Sequence, residues 1–190
     1  MNITTAISIS SNALQLIGHN AISSFDDQGA GATVAKAFYE TSYKALLTTY
    51  PWNFAKKKKT LNRLTEEPLN EWKYQYQLPT DFLRVITSDT FTDWAIYGDK
   101  IYTNVDKMDL DYIYRVDESF IPPNFREALE FYLASKWAIP VTESATNAGV
   151  YADLADRALK KAKYVDGAGE TGRSIKDVAN LPYAVRRRRF

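Results

Sequence analysis

The stretch EWKYQYQLP, Glu71–Pro79, places Trp72, Tyr74, Tyr76 and Leu78 at alternate positions, with Lys73, Gln75 and Gln77 between them. A period of two sends successive side chains to opposite faces, so this is a half-buried strand with an aromatic inner side. LDYIYRV repeats the pattern with Leu110, Tyr112, Tyr114 and Val116. FLRVIT between them reads as a further strand, and WAIYGDKIYT reads as a hairpin whose Gly98-Asp99 turn supplies the positive φ that two-residue turns demand. LPTDFLR is a structural corner: Pro79 ends one strand, Asp81 caps the turn and Arg84 emerges on the next. Residues 56–119 are therefore expected to form one small antiparallel sheet.

On either side of this region the period is helical. Ile3, Ala6, Ile7, Ala13, Leu14 and Ile17 recur at steps of three and four before Gly18, which predicts a helix over Ile3–Ile17. Val34, Ala35, Phe38, Tyr39, Ala45 and Leu46 share a face over Thr33–Tyr50, where Pro51 stops the run. IPPNFREALEFYLASKWAIP opens with Pro123 in a first turn and is expected to stop at Pro140. A last helix, capped by Thr142 or Ser144, carries Ala148, Ala152, Ala155, Leu159 and Ala162 as a narrow stripe. No such helix buries its stripe alone, so the expected fold is α+β: an antiparallel four-helix bundle (residues 1–55 and 120–166) interrupted by a small antiparallel β-sheet insertion (56–119). Beyond Val165 a glycine-rich linker leads to an extended basic C-terminal tail, 167–190, too short to build a core.

Composition narrows the function. At 190 residues and 45% hydrophobic, the chain is long enough for a real core. It has no cysteine, which excludes disulfides and thiolate metal sites and suits a reducing site of assembly. The N-terminus lacks a basic n-region and a continuous apolar run, so neither a signal peptide nor a membrane span is expected. Formal charge is only +1, which argues against a generic polyanion binder. Charge is instead clustered, in Lys56, Lys57, Lys58 and Lys59 and in Arg186, Arg187, Arg188 and Arg189. The lysines fit a guarded sheet edge, a phosphate contact or a protein contact. The arginines, flanked by Tyr183 and Phe190, have a composition favoured at protein interfaces that would serve phosphates equally well.

No catalytic set is expected. His19, the only histidine, follows a helix end and reads as a loop or capping residue rather than a base. The pairs Asp26 with Asp27, Glu66 with Glu67 and Asp109 with Asp111 read as solvated acids rather than a glycosidase dyad. GAGAT lacks the Lys-Ser/Thr ending of a phosphate loop. No cofactor or metal is called for.

NALQLIG, LLTTYPWNFAKKKKTL, YQYQLPTDFLRV, IYGDKIYT and FREALEFYLASKWAIPVTES, followed by an alanine-rich helix, resemble in this order the head-to-tail adaptor proteins of short-tailed bacteriophages, the tail tubular protein A family. The resemblance covers about Ile3 to Val165. It implies a non-enzymatic virion protein, assembled in the bacterial cytoplasm, that forms a self-associated ring, expected as a dodecamer, beneath the portal protein. Such a ring passes double-stranded DNA without sequence-specific binding and docks the tail nozzle protein. By the same resemblance, the tail with Tyr183, Arg186–Arg189 and Phe190 would reach the portal. The hairpin residues Trp94, Tyr97, Asp99, Lys100 and Tyr102 would face the nozzle or a neighbouring subunit. Near-neutral charge suits a conduit, because a continuous basic wall would hold DNA by counterion release. The alternative is a DNA-binding accessory protein using Lys56–Lys59 and Arg186–Arg189, and a third reading is a virion polysaccharide hydrolase.

Overall fold

Strand β6, Asp109–Tyr114, is buried on both sides, and that fact organises the molecule. Leu110 and Tyr112 enter one apolar cluster, whereas Ile113 points the other way into a second. The computed structural model describes residues 5–88 and 93–169. In chain order they form α1 (Ala6–Leu16), α2 (Ala30–Thr48), β1 (Lys56–Thr60), β2 (Tyr74–Gln77), β3 (Phe82–Ser88), β4 (Trp94–Tyr97), β5 (Lys100–Thr103), β6, α3 (Pro123–Thr142) and α4 (Ala145–Ala168). Single 3₁₀ turns lie at Asn53–Ala55 and Glu118–Phe120.

The strands make two antiparallel three-stranded sheets, ordered β1-β6-β3 and β2-β5-β4, where one sheet was expected. The first stands between the two clusters. On one side Ile113 and Val116 meet Tyr43, Leu46 and Leu47 of α2 and Phe125 and Leu129 of α3. On the other, Leu110 and Tyr112 meet Leu61, Met108, and Tyr76 and Ile101 of the second sheet. The alternation in LDYIYRV is thus real, but its second face is mixed: Asp111 stands opposite Lys58, while Ile113 lies under the helices.

The single antiparallel four-helix bundle does not form either. The third helix is a hub on which α4, α1 and α2 each pack, while α1 and α2 touch lightly and α4 meets them at most marginally. A sheet closes the side of the core that a fourth packed helix would have closed. The sheet is therefore a structural wall and not an insertion. The reason lies in α2: its buried face of Ala35, Tyr39, Tyr43, Leu46 and Leu47 is wide and aromatic, and it needs more cover than α3 supplies.

Helix ends follow local chemistry. A capping box closes the start of α1, with Ser8 N–H on Thr5 Oγ1 at 3.1 Å and Thr5 N–H on Ser8 Oγ at 2.9 Å. Its end is a Schellman motif: Gly18 takes φ +82°, its N–H reaches Gln15 O, and His19 N–H reaches Leu14 O. Pro140 does not stop α3, which continues two residues further. A proline in the last turn removes one hydrogen bond, and Glu143 in the left-handed region (φ +53°) makes the actual stop. Ser144, not Thr142, caps α4 through Asn147 N–H at 3.2 Å. Thr142 Oγ1 instead donates back to Ala138 O. The buried stripe of α4 is Ala155, Ala158 and Ala162, while Ala152 is exposed. Small residues there, and Ala128, Ala134 and Ala138 on α3, allow the two helices to approach closely. This helix also takes in Asp166–Ala168, three residues of the expected linker. Asn53 fixes its end, with N–H on Asp166 Oδ2 at 2.9 Å and Nδ2 on Asp166 O at 2.7 Å.

Candidate interaction surfaces and the polar clusters behind them

Lys56–Lys59 lie in β1 (Lys56–Thr60), an edge strand paired, among the described residues, with β6. The register sets Lys58 opposite Asp111 and Thr60 opposite Asp109, and Thr60 Oγ1 donates to Asp109 at 2.5 Å. The Asp109 and Asp111 pair is thereby explained as cross-strand partners of a basic edge. Lys57 Nζ lies 2.8 Å from Asp81 Oδ2 and 4.8 Å from the Tyr114 ring centroid. The edge-guard reading of these lysines has this geometry behind it.

Asp81 ties its corner to β1 and β6. Its carbonyl accepts from Arg115 N–H at 3.0 Å, and its carboxylate accepts from Lys57 and, at 3.0 Å, from the Tyr112 hydroxyl. Partial burial pushes the carboxyl up, but the Lys57 and Tyr112 hydrogen bonds outweigh it and hold Asp81 below the usual range. Burial, reinforced by Asp81, pushes the Tyr112 phenol up. Arg84 donates to Thr48 O at 2.7 Å, stitching β3 to the end of α2.

The largest polar constellation is one the sequence reading did not single out. Arg115 grips Glu118 with Nη1 at 3.0 Å and Nη2 at 2.7 Å, and grips Glu40 of α2 with Nε at 3.2 Å and Nη2 at 2.9 Å. Its guanidinium also lies 4.7 Å from the Tyr43 ring centroid, and Nη1 donates to Val116 O. Glu118 is nearly enclosed, its side chain 9% exposed, and also accepts from the Tyr39 hydroxyl at 3.1 Å. The Arg115 hydrogen bonds hold Glu40 below the usual carboxylate range, and burial pushes Tyr39 and Tyr43 up. Every member has a partner inside the cluster, so it is a clamp between β6, α2 and the Glu118 turn, not an open site. The three-residue spacing in RVDE was its only trace in the sequence, since Glu40 and Tyr39 come from far along the chain.

The hairpin forms with its two-residue turn: Gly98 has φ +62° and Tyr97 pairs with Lys100. Alternation divides its aromatic residues. Tyr97 and Tyr102 share the outer face, edge to face with centroids 5.4 Å apart, while Trp94 lies on the opposite face with Ile96. Trp94 is 39% and Tyr97 54% exposed. Asp99 is occupied within the turn, its carboxylate and carbonyl each accepting from Gln77 Nε2 at 3.0 Å. Lys100 is half-buried, 4.0 Å from a Glu66 oxygen. Tyr183, Arg186–Arg189 and Phe190, and with them the extended tail, lie outside the described residues.

The remaining candidates have structural partners. His19 lies over Gly31 at the start of α2, where a Cβ would stand 2.7 Å from its ring, and Nδ1 is 3.0 Å from Asn20 O. Asp27 accepts from the N–H groups of Ser23 and Ser24, which lower its pKa, and Asp26 pairs with Lys36 at 2.7 Å. Among the described residues no three His, Asp or Glu side chains are placed to hold a metal ion, and no helix is long and apolar enough to cross a membrane. No protein-family model matches this chain, and no curated protein matches it.

Proposed function

We propose that this chain is a structural adaptor subunit of a bacteriophage connector, a ring component that joins the portal exit to the tail nozzle. The reading rests on the ordered resemblance from NALQLIG to FYLASKWAIPVTES. The observation that supports it most is the hairpin, which carries Tyr97 and Tyr102 as an aromatic pair on the outer face of the second sheet, with Tyr97 54% exposed. Large rings with few rotatable bonds give contact area at little entropic cost, as permanent interfaces require. The polar clusters serve a framework role in the same picture: their charged groups are engaged with one another, leaving binding to exposed aromatic and basic segments.

The basic edge fits this reading better than it fits DNA binding. Lys57 is engaged by Asp81, and Lys58 stands opposite Asp111, so part of the positive charge is answered within the fold. A conduit for DNA needs walls that do not retain phosphates. In this proposal Tyr183 and Arg186–Arg189 engage the portal protein, and the hairpin engages the nozzle or a neighbouring subunit.

Electron imaging of the chain mixed with its cognate portal, with and without Gly167–Phe190, tests the reading. Added ring density that requires the segment is the expected result. Absence of density with the intact chain, together with DNA affinity that falls steeply with salt, would transfer the assignment to the accessory DNA-binding reading.

A further inference from the structure

The two sheets have four edge strands, and they are not treated alike: β3 carries Arg84, and the outer side of β2 is already met by Arg63, bridged to Tyr76, and by Leu64 N–H on Gln75 O. Strand β1 carries four lysines, while β4, at the edge of the second sheet, reads Trp94-Ala95-Ile96-Tyr97 and carries no charge at all. Among the described residues nothing pairs with the outer side of β4. In a two-residue hairpin the residues flanking the turn exchange hydrogen bonds, and pairs alternate from there. Tyr97 and Ala95 therefore spend their backbone groups on Lys100 and Tyr102, and Trp94 and Ile96 point their N–H and C=O groups outward. An edge with such unpaired groups, no charge and half-exposed aromatic side chains is a template for another strand.

We infer that β4 pairs antiparallel with β4 of a second copy of this chain, about a two-fold axis at Ala95. The register follows from the backbone. Within the strand only Trp94 and Ile96 offer outward groups, and the register that uses both in each copy sets Trp94 against Ile96 of the other copy, and Ile96 against its Trp94. Ala95 then faces Ala95 as a non-hydrogen-bonded pair, where Cα atoms come closest, about 4.5 Å apart. The smallest side chain of the strand stands at the tightest point. On one face Trp94 lies beside Ile96 of the other copy, an aromatic and β-branched cross-strand pair. On the other face Asp93 lies beside the neutral Tyr97. No like charges meet between Asp93 and Tyr97. The same pairing on β1 would set lysine against lysine, β3 carries Arg84 at its edge, and β2 is already met by Arg63 and Leu64, which leaves β4 for the second copy.

The contact joins two three-stranded sheets into a continuous six-stranded one. One short strand a side is far below the roughly 20–30 residues a side of a stable complex, so the pair is weak and reversible. A two-fold contact also closes on itself, whereas a ring needs a head-to-tail one. The inference therefore stands independently of the adaptor proposal: it describes the free chain.

The full chain has no cysteine, which makes the test clean. Sedimentation equilibrium up to roughly 1 mM, the weak end of specific association, is expected to show the average mass of wild type rising towards a dimer. Ala95→Lys, which opposes two ammonium groups at the axis, is expected to stay monomeric with an unchanged circular dichroism spectrum. Ala95→Cys is expected to form a disulfide-linked dimer under mild oxidation at least tenfold faster than Tyr97→Cys, because a non-hydrogen-bonded pair meets disulfide geometry and Tyr97 faces Asp93 instead. Wild type monomeric throughout, or equal cross-linking of the two cysteine variants, overturns the inference. So does self-association that survives Ala95→Lys, since it would belong to another surface.

Discussion

Replacing Arg115 by methionine keeps much of the side chain's length and removes its charge and five donors. Glu118, 9% exposed, then loses two hydrogen bonds and its counter-charge and keeps only the Tyr39 hydroxyl. Breaking one partner out of a buried ion pair costs about 3–5 kcal/mol. The lower end applies here, because Arg115 is 24% exposed and the Glu40 arm, 48% exposed, is screened by water and contributes at most about 1 kcal/mol. Loss of the cation–π contact with Tyr43 adds up to about 1 kcal/mol. About 3–4 kcal/mol in a domain of this size lowers Tm by about 6–16 °C. Thermal and urea melts followed by circular dichroism read this out, with an unchanged urea slope expected if the folded state is otherwise intact. The decisive comparison is the double variant Arg115→Met/Glu118→Gln, in which no charge is stranded. It is expected to be more stable than Arg115→Met alone. A fall in Tm below about 3 °C for the single variant, or a double variant less stable than the single one, would refute the clamp.

Two further perturbations test the polar framework and the entry to α2. Asp81 and Glu40 are held below their usual pKa range, so each contributes stability that is complete above the unfolded-state value of about 4 and is lost as pH falls through the lower folded-state value. Asp81→Asn is expected to flatten the acid limb of a stability-against-pH profile below about pH 4 while costing stability at pH 7, and an unchanged limb would contradict the assignment. A methyl group at Gly31 meets the His19 ring at 2.7–2.8 Å, so Gly31→Ala should show its helix-favouring effect only when the ring is gone. In urea unfolding Gly31→Ala is expected to help more on the His19→Ala background than on wild type, with Leu14 Cδ1 at 3.2 Å limiting the gain that remains.

The elements of this fold are legible in sequence where one local rule governs them. The Gly98-Asp99 hairpin, the glycine stop after Ile17 and the Ser144 cap each depend on a few neighbouring residues, and each forms. Pro140 misled because a proline's cost depends on where in a helix it falls, and in a last turn that cost is one bond. The assembly of elements was much less legible. Alternation in LDYIYRV reports a strand but cannot tell water from a packed helix on its second face, and that choice separates a bundle with an insert from a shared wall. Nor could the text divide Trp72–Val116 into two sheets, since strand order is set by pairings between distant segments such as Lys56 with Ile113. For the interaction surfaces, Trp94, Tyr97 and Tyr102 were grouped by proximity along the chain, and the pleat then sent Trp94 to the other face. The Arg115 clamp was invisible because its members lie at positions 39, 40, 43, 115 and 118 and meet only once α2 rests against β6.

Strand β6 hydrogen-bonds to β1 on one side and β3 on the other while facing a different apolar cluster across each of its surfaces. Neither cluster can come apart and leave the other with an intact boundary. The helical and the β-rich portions are thereby bound into one cooperative melting event, and the amide protons of Leu110 to Ile113 should be the slowest in the chain to trade for deuterium. A chain built this way cannot open the β-rich cluster and keep the helical one sealed.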